Sequence, residues 1–251
     1  MATSLVPAQS GTHTPLIKVS QNELLACLPL AVRARWALHL EYVDLFQGKV
    51  LQEAGSGIPY VYFPVTAVVS QLYSLENGES AESAVIGCKG MVGFPVILGG
   101  ESTASRAVVL IKGRGWRMEA DFLREELRSV IPVLHLMLRY LQAMMTQMNQ
   151  TAVCNRHHSV YQQLCRWLLL VTDRLPVSEL PITQELLANA LGVRRETVTV
   201  AAGKLQRAGL IRYKRGNITV LDRAGIERRA CECYQVVRQE YARLLPRREA
   251  T

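Results

Sequence analysis

A chain of 251 residues, 49% of them hydrophobic, has room for two modest domains and enough apolar side chains to give each a core. The formal net charge of +8, concentrated in the last third, points to a polyanionic partner, nucleic acid first of all. The same inventory argues against a membrane span, since the most apolar run, residues 167–171, is far too short and is bounded by Arg166 and Asp173.

The first 15 residues, rich in Ser, Thr, Pro and Gly, read as a disordered lead without a signal-peptide pattern, and a cytoplasmic location is expected. From Gln21 to His39 the spacing of Leu24, Leu25, Leu28, Val32, Trp36 and Leu40 predicts one or two short helices around Pro29. Between Glu41 and Trp116 the period shortens. Runs such as YVDLF, KVLQ, YVYF, VVSQLYSL, SAESAVIG, SRAVVLIK and GWRM, punctuated by glycines and prolines, predict an antiparallel sandwich or barrel. Its strongest hairpin signal is Asn77-Gly78.

A helical period returns at Asp121 with the short turn DFLREEL, and Pro132 opens a long helix running toward Asn155. Leu134, Leu138, Leu141, Met145, Met148 and Ala152 follow one another at steps of 4, 3, 4, 3 and 4, a heptad seam suited to a homodimer. A second stripe, Met137, Tyr140, Met144 and Gln147, is placed to pack on the barrel. Asn155-Arg156-His157 interrupts the pattern and marks the expected hinge, after which residues 160–175 form another helix ending at Pro176. The expected organisation is a lead (1–20), a β-roll domain (21–131), a dimerisation helix (132–155) and a DNA-binding domain (156–251).

Residues 182–211 carry the clearest functional pattern. Thr183 is a helix N-cap, Gln184 to Leu191 a short helix, Gly192 a left-handed stop, and Val198, Ala201, Ala202 and Leu205 the buried face of a second helix. Ala188 is the small residue that a steep helix crossing requires. This is a helix-turn-helix pattern, whose second helix lies in a DNA major groove. The outer face of that helix offers Arg194, Arg195, Glu196, Thr199, Lys204 and Arg207. Arginine pairs with guanine, glutamate accepts from cytosine, and the remaining cations suit phosphates. The following IRYKRGNITVL reads as a hairpin turning at Arg215-Gly216-Asn217, a wing with Arg212, Lys214 and Arg215 toward the DNA backbone. The tail, residues 223–246, reads as one further amphipathic helix.

The order of β-roll, long helix, hinge and winged helix-turn-helix resembles the Crp/Fnr family of bacterial transcription regulators, most specifically in QELLANALGVRRETV. Val61-Tyr62-Phe63-Pro64, Gly90-Met91-Val92-Gly93 and Cys154-Asn155-Arg156 resemble a subset of that family without an assigned effector. The resemblance implies an α+β chain with a cyclic-nucleotide-binding-like roll, double-stranded DNA and RNA polymerase as partners, and Arg195 and Glu196 as base readers. Two positions depart from the family pattern. Arg194 stands where a capping Ser or Thr is usual, and Val200 replaces an arginine, so a thymine methyl is its natural contact.

The effector pocket that the resemblance implies would involve Gly93, Phe94 and Arg106. Gly93-Phe94-Pro95 lacks the carboxylate that grips a ribose, and Ala107 replaces the hydroxyl beside Arg106, so cyclic AMP is not expected. Cys27 stands alone where iron-sulfur sensors have several cysteines, and haem has only scattered candidate ligands such as His39 and Cys88. No cofactor, catalytic residue or metal site is therefore expected. The six cysteines lack CxxC spacing, Cys231 and Cys233 read as inert thiols, and adjacent His157 and His158 on one helix would diverge by about 100°. The alternative from another class is a metal- or haem-dependent sensor or enzyme using the barrel; it is disfavoured because no histidine lies between His39 and His135.

Overall fold

The structure, a computed structural model, describes residues 19–175 and 179–245. The expectations for the N-terminal lead up to residue 18, for Pro176 and for the last residues of the tail lie outside them. Helices α1 (Glu23–Ala26) and α2 (Leu30–Trp36) straddle Pro29 as the spacing predicts. Asn22 caps α1 by accepting from the Leu25 amide at 3.1 Å. Its own amide donates to the carbonyls of Pro64 at 2.8 Å and Gly90 at 3.0 Å, so one fully buried side chain ties three segments together.

The alternating runs form strands β1 (Glu41–Leu45), β2 (Val50–Gln52), β3 (Tyr60–Pro64), β4 (Val68–Ser74), β5 (Ser80–Ile86), β6 (Arg106–Ile111) and β7 (Gly113–Glu119). They make two antiparallel sheets, ordered β1-β7-β3 and β2-β6-β4-β5. Leu45, Phe63, Trp116 and Met118 from one sheet and Val69, Val85, Val109 and Ile111 from the other are buried in one core. The β4–β5 hairpin closes at Asn77-Gly78, with Gly78 at φ 84°. A single 3-10 turn, Phe94–Leu98, is bounded by left-handed Gly93 and Gly99.

Helix α3 (Ala120–Ser129) extends the short turn read from the sequence, and α4 (Ile131–His157) is the long helix. Asn155-Arg156-His157 does not interrupt α4. The break falls at His158, whose backbone is extended (φ −106°, ψ 152°), and at Ser159, which opens α5 (Val160–Thr172) through a capping box with Gln162. The stripe of Met137, Tyr140, Met144 and Gln147 is buried on the β-roll, as expected. The Tyr140 hydroxyl donates to the Met91 carbonyl at 2.8 Å and accepts from the Met91 amide at 3.0 Å. A Cβ on Gly90 would lie 2.7 Å from the tyrosine ring, so only glycine admits this clasp.

The C-terminal part docks against the same roll. Glu82 on β5 accepts from Trp167 Nε1 of α5 at 2.8 Å and from the Ser70 hydroxyl. Burial is the largest influence on its carboxyl and pushes it up to about 7, against the hydrogen bonds from Ser70 and Trp167 and the charges of Arg166 and Arg174. Gln147 donates to the Val85 carbonyl at 3.1 Å and accepts from Arg174, a buried guanidinium 5.4 Å from the Tyr241 ring centroid. The tail is two helices, α8 (Arg223–Glu227) and α9 (Cys233–Leu244), with residues 228–232 between them, rather than the single helix expected. Helix α9 runs antiparallel along α4: Gln142 donates to Glu240 at 3.3 Å, and Cys154 meets Cys231 at 3.5 Å near the other end.

Tyr140→Phe strands the Met91 amide and carbonyl in the core and is expected to cost about 1–3 kcal/mol, read as a lower urea midpoint with an unchanged slope. Glu82 binds its proton more tightly folded than unfolded, so its contribution is complete below the ordinary value of 4.5 and is lost as pH rises through about 7. The native chain should therefore lose about 3 kcal/mol, relative to Glu82→Gln, between about pH 4.5 and pH 8, as measured by urea unfolding across that range.

Candidate nucleic-acid interface

Thr183 starts helix α6 (Gln184–Leu191) as predicted, its hydroxyl accepting from the Leu186 amide at 3.2 Å. Gly192 ends the helix at φ 63°, and the Val193 amide returns to the Ala188 carbonyl at 3.0 Å. Helix α7 (Arg195–Arg207) then crosses α6 over Leu187, Ala188, Ala190 and Leu191, into which it buries Val198, Ala201, Ala202 and Leu205. The small side chain of Ala188 keeps the crossing close, for the reason the pattern suggested.

The opposite face of α7 carries Arg194, Arg195, Glu196, Thr199, Lys204 and Arg207, all exposed, together with Val200 at 58% exposure. Arg194 occupies the N-cap without a side-chain cap bond, so the first amides of the helix keep their positive end free, with Glu196 in the first turn. The Thr199 hydroxyl lies 3.0 Å from both Gln184 Oε1 and the Arg195 carbonyl, which makes it a brace between the two helices as well as a surface group.

Beyond α7, strands β9 (Ile211–Lys214) and β10 (Asn217–Val220) form the wing. Lys214 pairs with Asn217, leaving a two-residue loop in which Arg215 (φ 50°) and Gly216 (φ 77°) are both left-handed, the hand that matches hairpin twist. Arg212, Lys214 and Arg215 are exposed along it. A third strand, β8 (Glu179–Leu180), pairs with β10. Sequence reasoning missed it because two residues carry no period. Gln206 Oε1 of α7 accepts from the Tyr213 amide at 2.8 Å, and a Cβ on Gly216 would lie 3.5 Å from Thr183 Cγ2. Wing and helices thus interlock at both ends.

The cations of this face are clustered and unpaired. Elsewhere Arg35, Arg114, Arg117, Arg223, Arg238 and Arg243 each hold a carboxylate. Among the described residues, Arg194, Arg195, Lys204, Arg207, Arg212, Lys214 and Arg215 have no carboxylate at ion-pair distance. Cations left unneutralised on one convex face suit the phosphates of a duplex.

Each residue named for an effector pocket has other partners. Arg106 opens β6 and pairs with Glu53 at 3.1 Å on the surface. Gly93 backs onto Val61 of β3 in the other sheet, and Phe94 packs partly buried against the core.

A β-roll joined through a long helix to a winged helix-turn-helix with an unpaired cationic face defines a DNA-binding transcription regulator. Residues 162–229 match the model of the Crp-like helix-turn-helix domain. The C-terminal domain is accordingly of the Crp-like helix-turn-helix type. The fold of solved structures agrees at low identity. FixK2 from Bradyrhizobium japonicum is 16% identical with a TM-score of 0.66, over 76% of this chain and 98% of that one. A putative Crp/Fnr-family transcriptional regulator from Eubacterium rectale is 18% identical with a TM-score of 0.63, over 86% and 98%. TTHB099, a Crp-family transcriptional regulator from Thermus thermophilus, is 18% identical with a TM-score of 0.62, over 75% and 96%. No curated protein sequence matches the chain.

Arg195→Ala is expected to cost about 1–3 kcal/mol on the best DNA site and to relax base choice at one position per half-site, whereas Lys214→Ala should weaken all duplexes alike and flatten the salt dependence. Fluorescence anisotropy with matched and singly mismatched duplexes at several salt concentrations checks both.

Proposed function

We propose that the protein works in the cytoplasm as a homodimer that reads a near-palindromic DNA site, with the two α7 helices in successive major grooves about 34 Å apart. Arg195 and Glu196 read bases, Val200 meets a thymine methyl, and Thr183, Arg194, Lys204, Arg212, Lys214 and Arg215 hold the backbone. RNA polymerase is the partner through which DNA occupancy would reach transcription. The β-roll has a regulatory and not a catalytic part.

The observation that carries the dimer is the uncovered side of α4. Ile131 (55% exposed), Leu138 (45%), Met145 (60%) and Ala152 recur every seven residues on a face turned away from Tyr140, with Leu134 and Met148 half-buried beside them. Leu141, named with this seam, is only 5% exposed in the single chain and serves the intramolecular core. An apolar stripe of this length on a soluble chain calls for a partner surface, and the same stripe on a second copy is self-complementary.

For the β-roll we propose control by something other than cyclic AMP. Arg106 is engaged by Glu53, and Gly93-Phe94-Pro95 offers a ribose no carboxylate. We propose no haem or iron-sulfur cluster in the roll, where among the described residues no group of three or more His, Cys, Asp or Glu converges.

Met145→Glu places a charge in the seam without touching the core. It is expected to give a monomer in sedimentation equilibrium, with an unchanged circular dichroism spectrum, and to reduce affinity for a two-half-site duplex at least tenfold. A variant that stays dimeric and binds as before would exclude α4 as the dimer contact.

A further inference from the structure

Three of the six cysteines stand apart from the main core. Cys154, Cys231 and Cys233 form a separate buried cluster, 0%, 4% and 1% exposed. His158 joins them, and the four come from the last turn of α4, the two-residue link between α4 and α5, the end of the segment between α8 and α9, and the first residue of α9. Their ligand atoms all lie within 4.8 Å of one another. Cys154 Sγ is 3.5 Å from Cys231 Sγ, and Cys233 Sγ is 3.7 Å from His158 Nδ1. A tetrahedral ion with thiolates at about 2.3 Å and an imidazole at about 2.0–2.1 Å needs edges of roughly 3.5–3.8 Å. Both measured edges have that length.

We infer that Cys154, His158, Cys231 and Cys233 form a Cys3His site for a zinc-class divalent cation. The expectation that the chain holds no metal ligands rested on local spacing and on the divergence of His157 and His158 along a helix. Only His158 takes part, and it lies past the end of α4 in extended backbone. The imidazole is oriented as a ligand would be. Its Nδ1 faces the thiols while Nε2 lies 3.4 Å from Glu232 Oε1, the outer carboxylate that fixes the tautomer of a ligating histidine. Three thiolates around a dication leave one net negative charge, and the buried Arg166 places a compensating charge near Cys154. A disulfide would use two of the sulfurs and leave the third sulfur and the imidazole converging on nothing. Four donors this close fit one ion rather than a two-iron cluster, and a thiolate-rich tetrahedral set selects zinc over hard cations.

The site joins the elbow between α4 and α5 to the segment that launches α9. A bound ion would staple the tail along the dimerisation helix and set the angle at which the DNA-binding domain leaves it. The inference stands whether or not the DNA reading does.

The test is elemental analysis of the full-length protein purified under reducing conditions, followed by Co2+ titration of the chelated protein. About one zinc per chain is expected, as for a structural thiolate site, and stoichiometric cobalt should give an intense thiolate charge-transfer band with tetrahedral d–d absorption. Cys231→Ser should lower zinc content at least fivefold, while Cys88→Ser leaves it unchanged. If the serine variant does not fold, the cobalt spectrum of the native chain decides alone. Protein without zinc that shows no charge-transfer band, a Cys154–Cys231 disulfide in the reduced preparation, or a loss of zinc with Cys88→Ser equal to that with Cys231→Ser would overturn the assignment.

Discussion

The structure depends on what is asked of one helix. Along α4 the side chains of Met137, Tyr140, Met144 and Gln147 must fill the mouth of the β-roll, and Tyr140 must reach the Met91 backbone with its only hydroxyl. A rigid helix has a fixed angular spacing, so once that face is seated the remaining faces have no freedom left. The flank receives α9, and the outward side carries Leu138 and Met145 to the surface. The roll therefore determines which face of α4 stays uncovered and, through α5, where the helix-turn-helix domain is held.

Polar groups in the domain junction make this arrangement specific rather than merely sticky. Glu82, Arg166 and Arg174 are each at most 5% exposed; Glu82 accepts from the Trp167 indole, Arg174 donates to the Gln147 amide oxygen, and Arg166 donates to Thr151. Apolar surfaces tolerate small slips, whereas a buried hydrogen-bond network is satisfied in few poses. Gly87 adds a steric condition: a Cβ there would fall 2.6 Å from Arg174 Cβ, so the roll and the interdomain turn meet backbone to side chain with nothing between them.

Much of this was legible in the sequence wherever a period or a turn residue was long enough to speak. All seven strands of the roll appear where alternation and glycine punctuation placed them, and α6 has the bounds that Thr183 and Gly192 imply. Val198, Ala201, Ala202 and Leu205 are buried as their spacing required. Most of the misses share one cause, a deciding partner that is distant along the chain. Leu141 has seam spacing but is taken by the core. Asn155 to His157 look like breakers, yet the helix ends only at His158, where the Ser159 capping box takes over. Cys154 and Cys231 are 77 positions apart, a separation at which local spacing says nothing. Strand β8 exists only because β10 pairs with it.

The closeness of Gly216 to Thr183 has a mechanical meaning. The tip of the wing abuts the N-cap residue of α6, while Gln206 of α7 accepts from the Tyr213 amide on β9, so hairpin and helix pair are held together at two points. A head built this way cannot trade one contact for another by bending. Any motion of the head relative to the long helix would carry helix pair and wing together about the elbow.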